Sequence, residues 1–180
     1  IVIMPYDDTR AAELRDTGIK LYSADDLRWK RCDIKSTNLL ANVLALQSSV
    51  RQGGFESVLV DSNGWVTEAT HSSILWCRDG ELQGTPETHA ILPGTTRKLI
   101  LELARLQKIP FSEAQIQLDE LLECDEVLIS GTSVEVMPVV EIDGREIGSG
   151  ARGPITTSLQ GAYRATLENW LSPSRVEASS

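Results

Sequence analysis

Three dipeptides constrain this chain more than any other feature. Asn63-Gly64, Asp79-Gly80 and Asp143-Gly144 each stand between two strand-like runs. Such pairs tolerate the positive φ angles of tight hairpin turns, so each predicts two antiparallel neighbours. The runs lie in "FESVLVDSNGWVTEAT", "SILWCRDGELQG" and "EVMPVVEIDGREIG". Further strands are predicted at "IVIM", "GIKLYSA", "AQIQL" and "DEVLISG".

Helices fill the intervals. Leu39, Leu40, Val43, Leu44, Leu46 and Val50 recur at helical spacing and predict a helix over 37–52. Ser36 or Thr37 would cap its start and Gly53-Gly54 would end it. A second helix is predicted over 96–107, with Pro110 beyond its end. Pro154 opens a third, with Ile155, Leu159, Tyr163, Leu167 and Trp170 on one side. The sum is a mixed α/β or α+β domain: one mixed sheet, many hairpins and helices packed outside, not a regular βαβ series. Residues 1–171 are expected to form the domain and 172–180 a frayed polar tail. The start, "IVIMPYDDTR", runs straight into an apolar segment and reads as the continuation of something longer.

Composition narrows the function. A net charge of −9 with no basic patch argues against a nucleic-acid or anionic-membrane binder. No apolar run is long enough for a transmembrane helix. Cys32, Cys77 and Cys124 are odd in number and lack metal-type spacing, and His71 and His89 have no partner cluster. Reduced thiols in a cytoplasm, and no metal site, are the expectation.

Four stretches could carry chemistry. Lys35 stands just before the predicted helix at 37. Its ordinary reading is a solvated lysine. However, the positive end of a helix dipole disfavours an ammonium there and favours the neutral amine that attacks a carbonyl. In "GWVTEAT", strand alternation puts Glu68 on the face of Val66 and Thr70. It is either an edge-strand carboxylate in water or an acid that holds a buried cationic nitrogen. "LPGTTR" is either ordinary capping or a helix mouth for an anion. "SGTS", residues 130–133, is a turn that could add a hydroxyl and an amide. Together these are an amine for an aldehyde, a carboxylate for a ring nitrogen and a cradle for a phosphate, which are the parts of a pyridoxal phosphate site.

The stretches "RCDIKSTNLLANVLA", "VTEATHSSI", "LPGTTR" and "LISGTSVEVMPV" occur in that order. In them the sequence resembles the fold-type IV pyridoxal phosphate enzymes, which include D-amino acid and branched-chain aminotransferases and aminodeoxychorismate lyase. "RCDIKS" leans toward the D-amino acid aminotransferase branch. The resemblance implies that Lys35 forms a Schiff base with pyridoxal 5′-phosphate and that Glu68 pairs with the ring nitrogen. It implies that Leu92 packs on the ring, that Thr95, Thr96 and Thr132 hold the phosphate, and that Ser72 approaches the cofactor. The implied reaction moves an amino group between an amino acid and a 2-keto acid. The alternatives are a lyase of the same fold, or a cofactor-binding fragment that needs another half. A homodimer and a separate, smaller N-terminal domain are also implied. The chain departs from the family where it has "ATHSS" in place of a glycine followed by serines, which makes His71 unusual, and where it has "PGTT" in place of "PGIT".

Overall fold

The computed structural model describes Pro5 and residues 7–172. Nine strands join in one mixed sheet. They are β1 (Ile19–Asp25), β2 (Glu56–Val60), β3 (Val66–Ala69), β4 (Ser73–Arg78), β5 (Glu81–Gly84), β6 (Phe111–Glu113), β7 (Glu126–Gly131), β8 (Glu135–Ile142) and β9 (Arg145–Glu146). The order is β3-β2-β1-β8-β7-β4-β5-β6, with β9 on β8. β1 runs parallel to both β2 and β8, and β5 runs parallel to β6. The other pairs are antiparallel. The sheet curls, because Val66 at the start of β3 donates its N–H to Ile116 O at 2.9 Å, beyond β6 at the far edge. The helices are α1 (Thr9–Thr17), α2 (Leu40–Arg51), α3 (Thr95–Leu106), α4 (Leu118–Leu121) and α5 (Pro154–Leu171).

The hairpin turns follow the dipeptides, with one difference. Asp79 and Gly80 have φ of 51° and 79°, and Asp143 and Gly144 have 51° and 78°. Positive φ at both central residues is the tight turn that matches strand twist. At Asn63-Gly64 only the glycine is positive, at 85°. There the loop is longer, because Asp61 N–H bonds to Trp65 O at 2.8 Å and the Asp61 carboxylate takes the N–H groups of Asn63 and Trp65. An aspartate that satisfies two backbone donors makes the wider turn the better one.

Two expectations change, and one helix was not foreseen. The predicted strand "IVIM" and the tail from 173 lie outside the described residues. The helix predicted from 37 begins at Leu40, with neither Ser36 nor Thr37 as its cap. The Ser36 hydroxyl instead accepts the Asn38 N–H at 3.3 Å, and Thr37 O accepts the Leu39 N–H at 2.9 Å, so these residues form a turn. "AQIQL" is not a strand. The sheet takes Phe111–Glu113, and Gln117 donates its N–H to the Glu120 carboxylate at 3.0 Å to start α4. α1 carries no apolar stripe and escapes a periodicity search. It is anchored by the buried guanidinium of Arg15, which pairs with Asp8 and with Glu135.

Two apolar clusters flank the sheet. One gathers Leu21, Val58, Ile74, Trp76, Ile129 and Met137. The other lies under α3 and α5 and holds Leu75, Leu128, Ile100, Leu159 and Tyr163. α2 is different. It buries Asn42 and Ser49 against the sheet and leaves Leu40 and Leu44 68% and 58% exposed. Its inward face is held by polar bonds: Ser49 Oγ to Glu56 O at 2.7 Å, and Ser57 Oγ to Ala45 O at 2.8 Å.

The start of α5 is fixed by one buried acid. The Glu126 carboxylate accepts the N–H groups of Ile155 and Thr156 at 2.9 and 2.8 Å and the Thr156 hydroxyl at 2.6 Å. Glu126→Ala should cost about 2 kcal/mol or more, because it orphans two helix-start donors in a buried place. A shift of the urea midpoint to lower concentration measures this, and an unmoved midpoint would show that the cap is dispensable.

Candidate active site

A cavity of about 630 Å³ opens where the loop before α2, the end of β3, the start of α3 and the β7–β8 turn converge. Lys35, Glu68, Ser72, Leu92, Thr95, Thr96 and Thr132 all line it. The sheet order explains the meeting. β3 sits at one edge and β7–β4 near the other, and the curl brings their ends together.

Lys35 lies five residues before α2 begins at Leu40, in a loop. The charge of a helix end acts within its first turn, so the expected reason for placing a lysine here does not apply. The loop itself does the placing. Its backbone is pinned by Asp26 N–H to Val60 O at 2.7 Å and by Cys32 N–H to His89 O at 2.9 Å. Lys35 is exposed into the cavity.

Glu68 is 8% exposed and is not the wetted edge carboxylate of its ordinary reading. Arg28 binds its Oε1, and Leu92 donates its N–H to its Oε2 at 3.1 Å. Arg28 also forks onto Asp26, with Nε at 2.8 Å and Nη2 at 2.7 Å, and reaches Ala90 O at 3.1 Å. Burial works against Asp26, but Arg28 and the Thr67 hydroxyl outweigh it and hold this carboxyl below its usual range. At Glu68 burial wins and pushes the carboxyl up, with Arg28 and the Leu92 N–H offsetting only part. Two acids share one guanidinium here. When both are ionised the group carries one uncompensated negative charge, and a cation in the cavity would balance it.

The opposite end of the cavity offers donors. Gly94 precedes α3 with extended angles (φ −65°, ψ 131°), and no side chain caps the helix. The first helical bond is Lys98 N–H to Gly94 O at 3.1 Å, so the N–H groups of Thr95, Thr96 and Arg97 form the open helix start. An open helix start of this kind can seat an anion. Thr96 itself is buried at this helix start and lines the cavity. Ser130 Oγ is buried at the same wall without a hydrogen-bond partner. A Cβ on Gly131 would touch Ser72 Oγ at 3.4 Å, which shows how closely the turn after β7 packs on the turn after β3.

Sequence reasoning missed Asp26, Arg28, Asn42 and Glu56, all of which shape the cavity or its supports. The spacing of Asp26 and Arg28 was visible as an alternate pair, but nothing local joins Arg28 to an acid forty residues on. Arg97 was passed over inside "PGTTR". It is 1% exposed and holds Thr85 O at 2.8 Å, with Glu87 and Glu113 at 3.3 and 3.4 Å. Among the described residues no group of three or more His, Cys, Asp or Glu could hold a metal. No helix there is long and apolar enough to cross a membrane.

Comparison with known proteins gives the chain's family. Over 153 residues the chain is 41% identical to D-alanine aminotransferase of Bacillus licheniformis, covering 85% of this chain and 54% of that protein. It is 39% identical over 165 residues to the D-alanine aminotransferase of Staphylococcus haemolyticus, covering 92% and 56%. The branched-chain amino acid aminotransferase of Escherichia coli has a similar structure, with a TM-score of 0.80 at 30% identity over 90% of this chain and 55% of that one. The branched-chain amino acid aminotransferase from Thermobaculum terrenum, in its PLP-bound form, gives 0.79 at 28% identity, over 89% and 54%. The chain spans about half the length of the curated relatives it matches. Residues 1–142 match the family described as amino-transferase class IV. With the mixed curled sheet, the convergent cavity and relatives at these identities, the chain belongs to the class IV aminotransferase family.

Proposed function

We propose that residues 1–171 are the pyridoxal phosphate-bearing part of an aminotransferase. It moves an amino group between an amino acid, of D- or branched-chain type, and a 2-keto acid. The observation that carries this reading is the cavity, which brings an exposed lysine, a buried carboxylate and an uncapped helix start together. When bound, pyridoxal phosphate supplies an aldehyde that condenses with amines and a ring that withdraws electrons.

The residues present fit that group. The open N–H groups at Thr95 and Thr96, with Thr132 and the partnerless Ser130 hydroxyl nearby, suit its phosphate. Glu68, with its excess of negative charge, suits a protonated ring nitrogen. Leu92 offers an apolar side chain beside Glu68, with its N–H fixed on the acid. Lys35 is the covalent attachment point, and its amine is the base that moves the substrate α-proton once the lysine is free. Arg28 keeps Glu68 oriented and favours its ionised form. Ser72 stands on the wall between Glu68 and the β7–β8 turn.

The D-alanine aminotransferases among the relatives support the D-amino acid reading, and the structural neighbours keep the branched-chain one open. The outward apolar face of α2, with Leu40, Val43 and Leu44, supports a homodimer. Three free thiols, two of them buried, suit a cytoplasm. Burial pushes the Cys124 thiol up to about 11, so it stays unreactive.

Incubation of the chain with pyridoxal phosphate should produce a visible absorption band. Borohydride should then fix the cofactor on the peptide containing Lys35, as read by mass spectrometry. A colourless protein with no adduct overturns the proposal. Release of pyruvate without an amino acceptor would favour the eliminating lyase instead.

A further inference from the structure

Glu56 opens β2 and is 4% exposed. Three consecutive residues of the turn between β3 and β4 converge on its carboxylate. Thr70 Oγ1 donates to Oε2 at 3.0 Å, the His71 N–H donates to Oε2 at 2.8 Å, and Ser72 Oγ donates to Oε1 at 2.6 Å. All three residues line the cavity that holds Lys35.

A carboxylate has only lone pairs to give its partners. Both hydroxyls therefore spend their single proton on Glu56, and each keeps only acceptor capacity for anything else. The start of α3 across the cavity has the opposite character, since a helix N-terminus offers only N–H donors. The cavity thus has a donor end suited to an anion and an acceptor wall suited to N–H groups. The path of the turn does not depend on Glu56 alone. Asn42 Nδ2 holds Thr70 O at 2.7 Å, Thr70 N–H bonds to Ser57 O at 3.1 Å, and Ala69 N–H bonds to Ser72 O at 2.9 Å. What Glu56 adds is the direction of the hydroxyl protons.

We propose that Glu56 is a positioning residue that makes Thr70 and Ser72 an acceptor wall, and that this wall selects a ligand carrying a primary amine over the same ligand without one. The inference rests on the proposed function, because it takes the ligand to be a pyridine phosphate whose amine lies toward Lys35. It assigns Ser72 a different role from a donor to the cofactor. Its hydroxyl accepts a proton from the amine side of the ligand.

Two probes separate this role from simple support. Pyridoxamine 5′-phosphate and 4-deoxypyridoxine 5′-phosphate share ring and phosphate, but only the first has the amine. Their dissociation constants, measured by equilibrium dialysis on the full chain, give a ratio that reports the amine contact. The unsubstituted chain should favour pyridoxamine phosphate. Glu56→Gln should reduce that preference roughly five- to tenfold, the worth of about one hydrogen bond. The new amide donates to a hydroxyl and so turns that hydroxyl's own proton toward the ligand. Ser72→Ala should reduce the preference by a similar factor, and it carries the test alone if Glu56→Gln does not fold. A preference unchanged in the folded variants overturns the proposal. Equal weakening of both probes also overturns it, since that is the mark of a scaffold. If the unsubstituted chain binds neither probe, the cofactor reading itself falls, and this inference with it.

Discussion

Lys35→Ala should leave a protein that folds normally, retains no borohydride-fixed cofactor and turns over at least about 10³-fold more slowly. On the proposed reading two roles are lost at once: the amine that captures the aldehyde, and the base that moves the α-proton. General acid–base catalysis alone is worth on the order of 10²–10⁴. Folding should be spared, because Lys35 is exposed in a loop and has no role in either apolar cluster. Single-turnover assays with added amine are the informative measurement. A small exogenous amine should restore part of the proton transfer but not the covalent attachment. Near-normal turnover of Lys35→Ala would remove the lysine from the chemistry, and with it the reading of the cavity.

Glu68→Gln should be the second largest effect, with a different signature. Cofactor should still bind, but about 10- to 100-fold more weakly, since a charge-assisted bond of roughly 1.5–3 kcal/mol becomes a neutral one. Turnover should fall by roughly 10² or more, because a neutral amide cannot keep the ring nitrogen protonated. The pH dependence gives an independent check. Burial raises the Glu68 carboxyl above its ordinary 4.5, and a bound cation favours the ionised form. The sign follows: affinity for the cofactor should decline as pH falls through the raised value, and Glu68→Gln should abolish that component of the decline. Equal turnover in the two proteins would rule out the role of Glu68 at the ring nitrogen.

The sequence revealed the hairpins and the chemical parts, but not the supports that arrange them. Asp79-Gly80 and Asp143-Gly144 were legible because positive φ at two successive residues leaves few alternatives. The segment around Ile116 misled, since its alternation suits a strand while Glu120 captures the Gln117 amide and starts a helix. The leucines of α2 gave the helix but not its orientation. The inward face is chosen by Asn42 and Ser49, which find backbone carbonyls at Thr70 and Glu56, and no periodicity scale rewards that. Lys35 and Glu68 are singled out by residue type and motif, and both line the same cavity. Arg28 and Glu56 are not singled out, because Arg28 reaches Glu68 only through the β1–β2–β3 pairing, and Glu56 shows its use only when the β2–β3 hairpin sets it against Thr70. Placing Lys35 by a helix dipole was wrong for a local reason: the turn at Ser36–Leu39 delays the helix.

The central strand β1 joins Ile19 to Val139 on one side and Leu21 to Glu56 on the other. Closing that first pairing means bringing together points separated by most of the chain, a slow event with a large loop-closure cost. The walls of the cavity come from segments on both sides of that pairing, Lys35 from the loop after β1 and Thr132 from the turn before β8. On the proposed reading, a molecule bound there would bridge both sides of that pairing. Its binding energy should be returned to the whole molecule as resistance to heat, not to a single lobe.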